Sequence, residues 1–94
     1  MDIKIKHDQK NHKFTATIDG SECYLKYNLL ENNVIDFNHT FVPREVRGNG
    51  IAAQLVEEGL KYAEGNNFKV IPSCSYVKIY IDRNDKFKSL LESE

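Results

Sequence analysis

Polar and apolar residues alternate along the first part of the chain. Ile3, Ile5 and His7 interleave with Lys4, Lys6 and Asp8, the period of two expected of a half-exposed edge strand. After a polar, turn-like stretch at 8–12, Phe14, Ala16 and Ile18 alternate with Lys13, Thr15, Thr17 and Asp19. Asp19-Gly20 is a hairpin signal, because the tightest hairpin turn needs positive φ at both central positions. Cys23, Leu25 and Tyr27 share one face of the next predicted strand, with Tyr24 and Lys26 on the other. Asn32-Asn33 marks a further turn, and residues 34–42 form a fourth strand that stops at Pro43. This half of the chain predicts an antiparallel meander.

The period then changes. Ile51, Ala52, Leu55, Val56, Leu60 and Ala63 make a broad apolar stripe at helical spacing, opposite Glu57, Glu58, Lys61 and Glu64. The helix is predicted over 51–64, stopped by Gly65-Asn66-Asn67 with Gly65 as the left-handed residue. Residues 68–71 read as a short buried strand ended by Pro72. Val77, Tyr80 and Ile81 predict a second helix over 75–84, and Phe87, Leu90 and Leu91 a short terminal one. The sum is an α+β domain over residues 1–94: a meander, a crossover helix, a strand added in parallel, and a closing helix. Chain geometry favours a right-handed crossover from 34–42 to 68–71.

Composition narrows the function classes. Ninety-four residues make one domain. The formal charge of −1, with both signs spread along the chain, gives no basic footprint for nucleic acid. Hydrophobic content of 40% supplies a small core. No apolar run approaches the roughly 20 residues of a membrane span, and residues 1–6 lack a signal peptide's apolar core, so a soluble cytoplasmic protein is expected. Cys23 and Cys74 are too few for a disulfide framework and are expected as free thiols. His7, His12 and His39 stand at no ligand spacing, and no metal site is expected.

The chemistry concentrates in Val42-Pro43-Arg44-Glu45-Val46-Arg47-Gly48-Asn49-Gly50-Ile51-Ala52. A strand ends, a glycine-rich turn follows, and a helix begins at once. The first N–H groups of a helix lack internal partners, and the dipole leaves about half a positive charge there. Glycines let a phosphate approach those groups, and Arg47 can add a charge-assisted hydrogen bond. Several consecutive outward N–H groups suit a pyrophosphate better than a single carboxylate. The competing reading of the bare spacing is a tight strand-to-helix turn in which the glycines only relieve strain. The stretch is neither a Walker loop nor a Rossmann fingerprint.

Arg47-Gly48-Asn49-Gly50-Ile51-Ala52 matches the pattern Arg/Gln-x-x-Gly-x-Gly/Ala and resembles the acyl-CoA pyrophosphate loop of the GNAT acetyltransferase superfamily. Asn38-His39-Thr40-Phe41-Val42-Pro43, Val70-Ile71-Pro72-Ser73-Cys74-Ser75-Tyr76-Val77 and Tyr80-Ile81 narrow the likeness to its small, single-domain branch. That branch has a shortened GNAT fold, a His-Thr pair on the central strand and a cysteine in a Pro-x-Cys-x-Tyr/Phe-Val segment. The resemblance covers residues 34–84 closely and the meander in outline. It implies that strands 34–42 and 68–71 are parallel neighbours splaying apart at their C-terminal ends. It also implies acetyl-CoA as co-substrate, with Phe41 and Val42 offering backbone groups to the pantetheine arm. Arg47, Gly48, Asn49, Gly50, Ile51 and Ala52 would then cradle the pyrophosphate.

Four residues are candidates for the chemistry. Cys74 opens a predicted helix, where a thiolate is stabilised; it would serve as a covalent nucleophile or as the acid that protonates departing CoA. Alternatively it is a small buried hydrophobe. His39 is the candidate base, since an imidazole titrates near neutrality, or else a hydrogen-bonded histidine beside the sheet. Tyr80 and Tyr76 are alternative acids, since the resemblance implies a tyrosine on this helix, or else core or rim aromatics. Cys23 is read as structural, and His7 and His12 as surface residues.

The resemblance implies transfer of an acetyl group from acetyl-CoA to a primary amine on a small molecule or peptide. Polyamines, amino-sugars, peptide N-termini and lysines remain open as acceptors. A second reading is a module that holds CoA or acyl-CoA without turnover. A third is an interaction domain using Tyr24, Tyr27 and Phe37 as a partner surface. No nucleic-acid or membrane partner is expected, and a free edge at 3–6 allows a monomer or a weak homodimer.

Overall fold

The computed structural model describes residues 3–92. Four antiparallel strands form the meander: β1 (Lys6–Asp8), β2 (Lys13–Ile18), β3 (Ser21–Leu30) and β4 (Val34–Phe41). A 3-10 turn at Arg44–Val46 leads to helix α1 (Ile51–Gly65). Strand β5 (Lys69–Ile71), helix α2 (Ser75–Arg83) and a 3-10 segment at Asp85–Leu90 complete the order. The sheet runs β1-β2-β3-β4-β5, antiparallel except for β5, which lies parallel to β4. The α+β class and the parallel addition after the crossover helix are as the period change predicts.

Turn chemistry sets the meander's register. Asp19 and Gly20 both have positive φ (50° and 80°), and Ile18 pairs with Ser21 across the two-residue loop. Asn32 and Asn33 also take positive φ, 64° and 60°. The helix stop departs from expectation. Gly65 stays within α1, and the left-handed residue is Asn67, with φ 60°. Phe68 N–H reaches back to the Ala63 carbonyl at 2.9 Å and Asn67 N–H to Glu64 at 3.3 Å. This is the Schellman arrangement, which asparagine enters at modest cost.

One core cluster joins the sheet's inner face to both helices. Phe14, Ala16, Cys23, Leu25, Tyr27, Ile35 and Phe37 meet Leu55, Val56, Leu60 and Ala63 of α1 and Val77 and Ile81 of α2. Tyr27 and Phe37, proposed above as a partner surface, are 2% and 0% exposed; they are core residues, and only Tyr24 of that trio is partly exposed. Gly59 lets α1 come close. A Cβ there would lie 2.8 Å from Leu25 Cδ2 and 3.0 Å from Phe37 Cε1, both in fully buried side chains. Gly59→Ala should gain about 1 kcal/mol of helix propensity and lose more to overpacking, typically about 1–3 kcal/mol. A Tm several degrees lower in thermal unfolding is the expected result.

His7, read as a surface residue, is half-buried among aromatic rings. It stacks on Phe14 (centroids 4.1 Å, 11°), meets Tyr62 edge-on (4.4 Å) and hydrogen-bonds the Tyr27 hydroxyl at 2.6 Å. Burial pushes its pKa below 6.5, with nearby Asp8 pulling weakly the other way. The folded state therefore holds fewer protons than the unfolded chain as pH falls through about 6.5. Stability from this group is whole above that pH and declines below it. Thermal melts at about pH 5.5 and 7.5 should differ in the wild type, and differ less in His7→Gln.

Candidate active site

The site starts from a register fault. Tyr27 pairs with Phe37 and Lys26 with His39, so Asn38 is an extra residue in β4. A bulge inverts the alternation downstream. Without it, His39 would face the helices together with Phe37. With it, Thr40 turns inward opposite Leu25, and His39 turns outward opposite Lys26. Below the bulge, pairing with β5 ends at Asp36↔Ile71, while β4 continues to Phe41. The two strands therefore part, and the next link across the gap is Cys74 N–H to the Phe37 carbonyl at 2.9 Å.

A cleft of about 370 Å³ opens beside the freed end of β4. Thr40, Phe41 and Val42 form its strand side, and Arg47, Gly48, Gly50, Ile51, Ala52 and Ala53 the loop and helix side. Tyr76 of α2 closes the third side. Gly48 (φ 86°) and Gly50 (φ 71°) carry the left-handed turns that bring the chain into α1. Gly50 is the N-cap, no side chain caps the helix, and its first turn holds no acidic residue. The α1 N-terminus thus faces the cleft with its dipole uncompensated. Arg47 Nε donates to the Val42 carbonyl at 2.8 Å, which ties the loop to the strand end and leaves the Nη groups, unpaired among the described residues, for a phosphate.

Most residues predicted for the pyrophosphate cup line this cleft; Asn49 does not. Its side chain donates to the Val46 carbonyl at 3.0 Å and braces the 3-10 turn, so its expected ligand role falls to the loop backbone. Ala53 and Thr40 are cleft residues that sequence reasoning gave no role there.

Cys74 is the N-cap of α2, half-buried, with Sγ 3.4 Å from Thr40 Oγ1. Its side chain makes no capping hydrogen bond in this structure. Burial pushes the thiol up, but the Thr40 hydroxyl and the nearby N–H groups of Val77, Tyr76 and Thr40 favour the thiolate more, and the net pKa lies below the ordinary 9.0. Cys23 is the contrast: fully buried, its thiol is pushed up by desolvation and by Glu22. The two cysteines thus differ in environment, one favouring the thiolate and the other the neutral thiol.

His39 does not meet Cys74. It stands exposed on the sheet face opposite the helices, with its ring 5.8 Å from Tyr24. Tyr80 lies away from the cleft, beside Phe87 at 6.3 Å, and its phenol is held protonated by burial and by Glu57. Tyr76 takes the place by the cleft, its phenol likewise raised by burial. Among the described residues no cluster of His, Cys, Asp and Glu is suited to a metal ion, and no helix is long and apolar enough to cross a membrane.

Comparison with known proteins gives a consistent picture. Residues 13–90 match the profile of the GCN5-related N-acetyl-transferase family. The chain is 31% identical over 84 residues to Protein NATD1 of Gallus gallus, covering 87% of this chain and 76% of that protein. Protein NATD1 of Homo sapiens is 30% identical over the same length, at 87% and 74% coverage. A solution structure of a GCN5-like protein from Staphylococcus aureus superposes with TM-score 0.76 at 28% identity, over 97% of this chain and 89% of the other.

Proposed function

Because the chain belongs to the GCN5-related N-acetyltransferase family, we propose that it moves an acetyl group from acetyl-CoA to a primary amine through the cleft between β4 and α1. The observation that carries this reading is the uncapped N-terminus of α1, opened by Gly48 and Gly50 beneath Arg47. Acetyl-CoA is the co-substrate that supplies the activated acyl group. The residues fit it: the backbone of 48–53 offers N–H donors to a diphosphate, Arg47 Nη groups neutralise it, and the freed edge of Phe41–Val42 lies alongside for an amide-bearing arm.

Thr40 lines the cleft, and Cys74, with Sγ 3.4 Å from the Thr40 hydroxyl, stands next to it on the side where the acyl carbon would arrive. In the covalent route the Cys74 thiolate adds to the acyl carbon, the bond to the CoA sulfur breaks, and CoA leaves as a thiolate that takes up a proton. The amine then displaces Cys74 Sγ, losing a proton to solvent or a nearby base. In the direct route the amine nitrogen adds to the acyl carbon, the bond to the CoA sulfur breaks, the Cys74 thiol gives its proton to the departing sulfur, and the proton lost by the amine returns through solvent to Cys74. Alignment alone contributes several kcal/mol to either route. Two unpaired cysteines suit the reducing cytoplasm, where acetyl-CoA is made available to such a site.

The test is a thioester-consumption assay over a panel of amines, read beside CoA affinity by calorimetry. Acceptor-dependent release of CoA is expected. CoA binding with no release under any amine would leave a binding module instead.

A further inference from the structure

Among the described residues, Thr40 alone both lines the cleft and has a side-chain hydrogen bond to the Cys74 sulfur. Its Oγ1 lies 3.4 Å from Sγ, and the hydroxyl has no other partner among the described residues. It owes this place to the bulge, since the extra residue Asn38 turns Thr40 inward opposite Leu25. In the neutral pair either atom can donate. Ionisation fixes the direction: a thiolate has no proton to give, so the Thr40 O–H donates to it.

Acyl transfer moves the charge that this hydroxyl faces. When Sγ adds to an acyl carbon, the carbonyl π pair shifts onto the acyl oxygen, so the negative charge leaves sulfur for an oxygen one carbon away. A donor already at the sulfur is within reach of that oxygen. When the leaving group departs with its bonding pair, the oxygen pair returns to the carbonyl, and Thr40 keeps its proton throughout. A donor aimed at charge that develops in the transition state lowers the barrier. The other polar side chains are placed elsewhere. His39 stands on the opposite face beside Tyr24, and Tyr80 lies beside Phe87. Tyr76 forms the third wall of the cleft and has no side-chain hydrogen bond to Cys74 among the described residues.

We infer that Thr40 is a catalytic residue of the covalent route: its hydroxyl donates to the oxyanion that forms when Cys74 attacks an acyl carbon. The inference rests on the acetyl-transfer reading of the cleft and deepens it by naming the oxyanion donor. It sets an asymmetry between two reactions of the same thiol. Acylation builds charge on an oxygen and needs Thr40. Alkylation displaces a halide from a saturated carbon, builds no oxyanion, and does not.

The experiment compares two small probes of Cys74, neither of which needs CoA: p-nitrophenyl acetate, which acylates the thiol, and iodoacetamide, which alkylates it. Rates at Cys74 are followed across pH by mass spectrometry in the wild type, Thr40→Val and Thr40→Ser. Both rates are normalised to the thiolate fraction read from the alkylation profile. In Thr40→Val, normalised acylation should fall about 100-fold while normalised alkylation stays within about threefold. Thr40→Ser, which keeps the hydroxyl, should recover most of the loss. Acylation and alkylation falling together overturns the inference. So does acylation unchanged in Thr40→Val, a loss that serine fails to restore, or a wild-type Cys74 that takes no acetyl group from the ester. Failure of CoA to bind the wild type would instead strike the acetyl-transfer reading, since the ester probe still reports on Thr40.

Discussion

Gly50→Glu is expected to abolish coenzyme A binding and leave the domain folded. Two observations separate these effects. Gly50 has φ 71°, so any L-residue there carries strain, yet a Cβ at this position would meet nothing within 4 Å. The fold cost is therefore the backbone term, about 1–2 kcal/mol, within the roughly 5–15 kcal/mol by which a domain is stable. The ligand meets something harsher. A flexible carboxylate now stands at the N-cap, in the space where the diphosphate would take the first N–H groups of α1, and it repels that diphosphate. A loss of at least about 100-fold in affinity, roughly 2.7 kcal/mol, is expected by calorimetry. Gly20→Glu is the matched control. Gly20 has φ 80°, its Cβ space is likewise empty, and it belongs to the β2–β3 turn. It should cost comparable stability and leave CoA binding unchanged.

Cys74→Ala is expected to lower acetyl turnover at least about tenfold, equivalent to about 1.4 kcal/mol of barrier, with CoA affinity little changed. The thiol lies outside the diphosphate end of the cleft, so binding and chemistry should separate. The covalent and direct routes then part on two readouts. Wild-type protein incubated with acetyl-CoA and no amine should carry one acetyl group on Cys74 if the thiol is a nucleophile, and none if it is an acid. The hydrogen bonds from Thr40 and the start of α2 hold the thiol below its ordinary 9.0. In the covalent route the rate should therefore rise with pH on a limb lying below that value. Thr40→Val, which removes the donor, should move that limb upward. Unchanged turnover in Cys74→Ala would return the residue to a packing role.

The loop around Gly50 is the most legible part of the candidate site in the sequence. A strand end, glycines at 48 and 50 and an immediate apolar helix stripe are local signals, and local backbone rules turn them into a loop and an open helix N-terminus. The meander was legible for the same reason, since Asp19-Gly20 and the alternation of Phe14 and Ala16 constrain the chain within a few residues. What escaped depends on distant partners. The extra residue at Asn38 is a mismatch between two strands, so counting along β4 alone could not turn His39 out and Thr40 in. Gly59 carries no signal in the helical stripe itself; the approach of α1 to Leu25 and Phe37 explains it. His7 fell into an alternating edge pattern, and the rings that bury it come from β2, β3 and α1. The stretch Gly65-Asn66-Asn67 points to Gly65 as the left-handed residue because glycine enters that region most readily, yet the Phe68 bond to Ala63 puts it two residues later, at Asn67.

The central claim is that the backbone around Gly50 holds the diphosphate of coenzyme A, and amide NMR of the wild-type protein under titration with CoA reads it directly. The account predicts saturable shifts concentrated in residues 47–53, together with the Arg47 side chain, while the β1–β2 edge stays still. Signals of 47–53 that remain unmoved at millimolar CoA, or shifts centred elsewhere in the molecule, would contradict it.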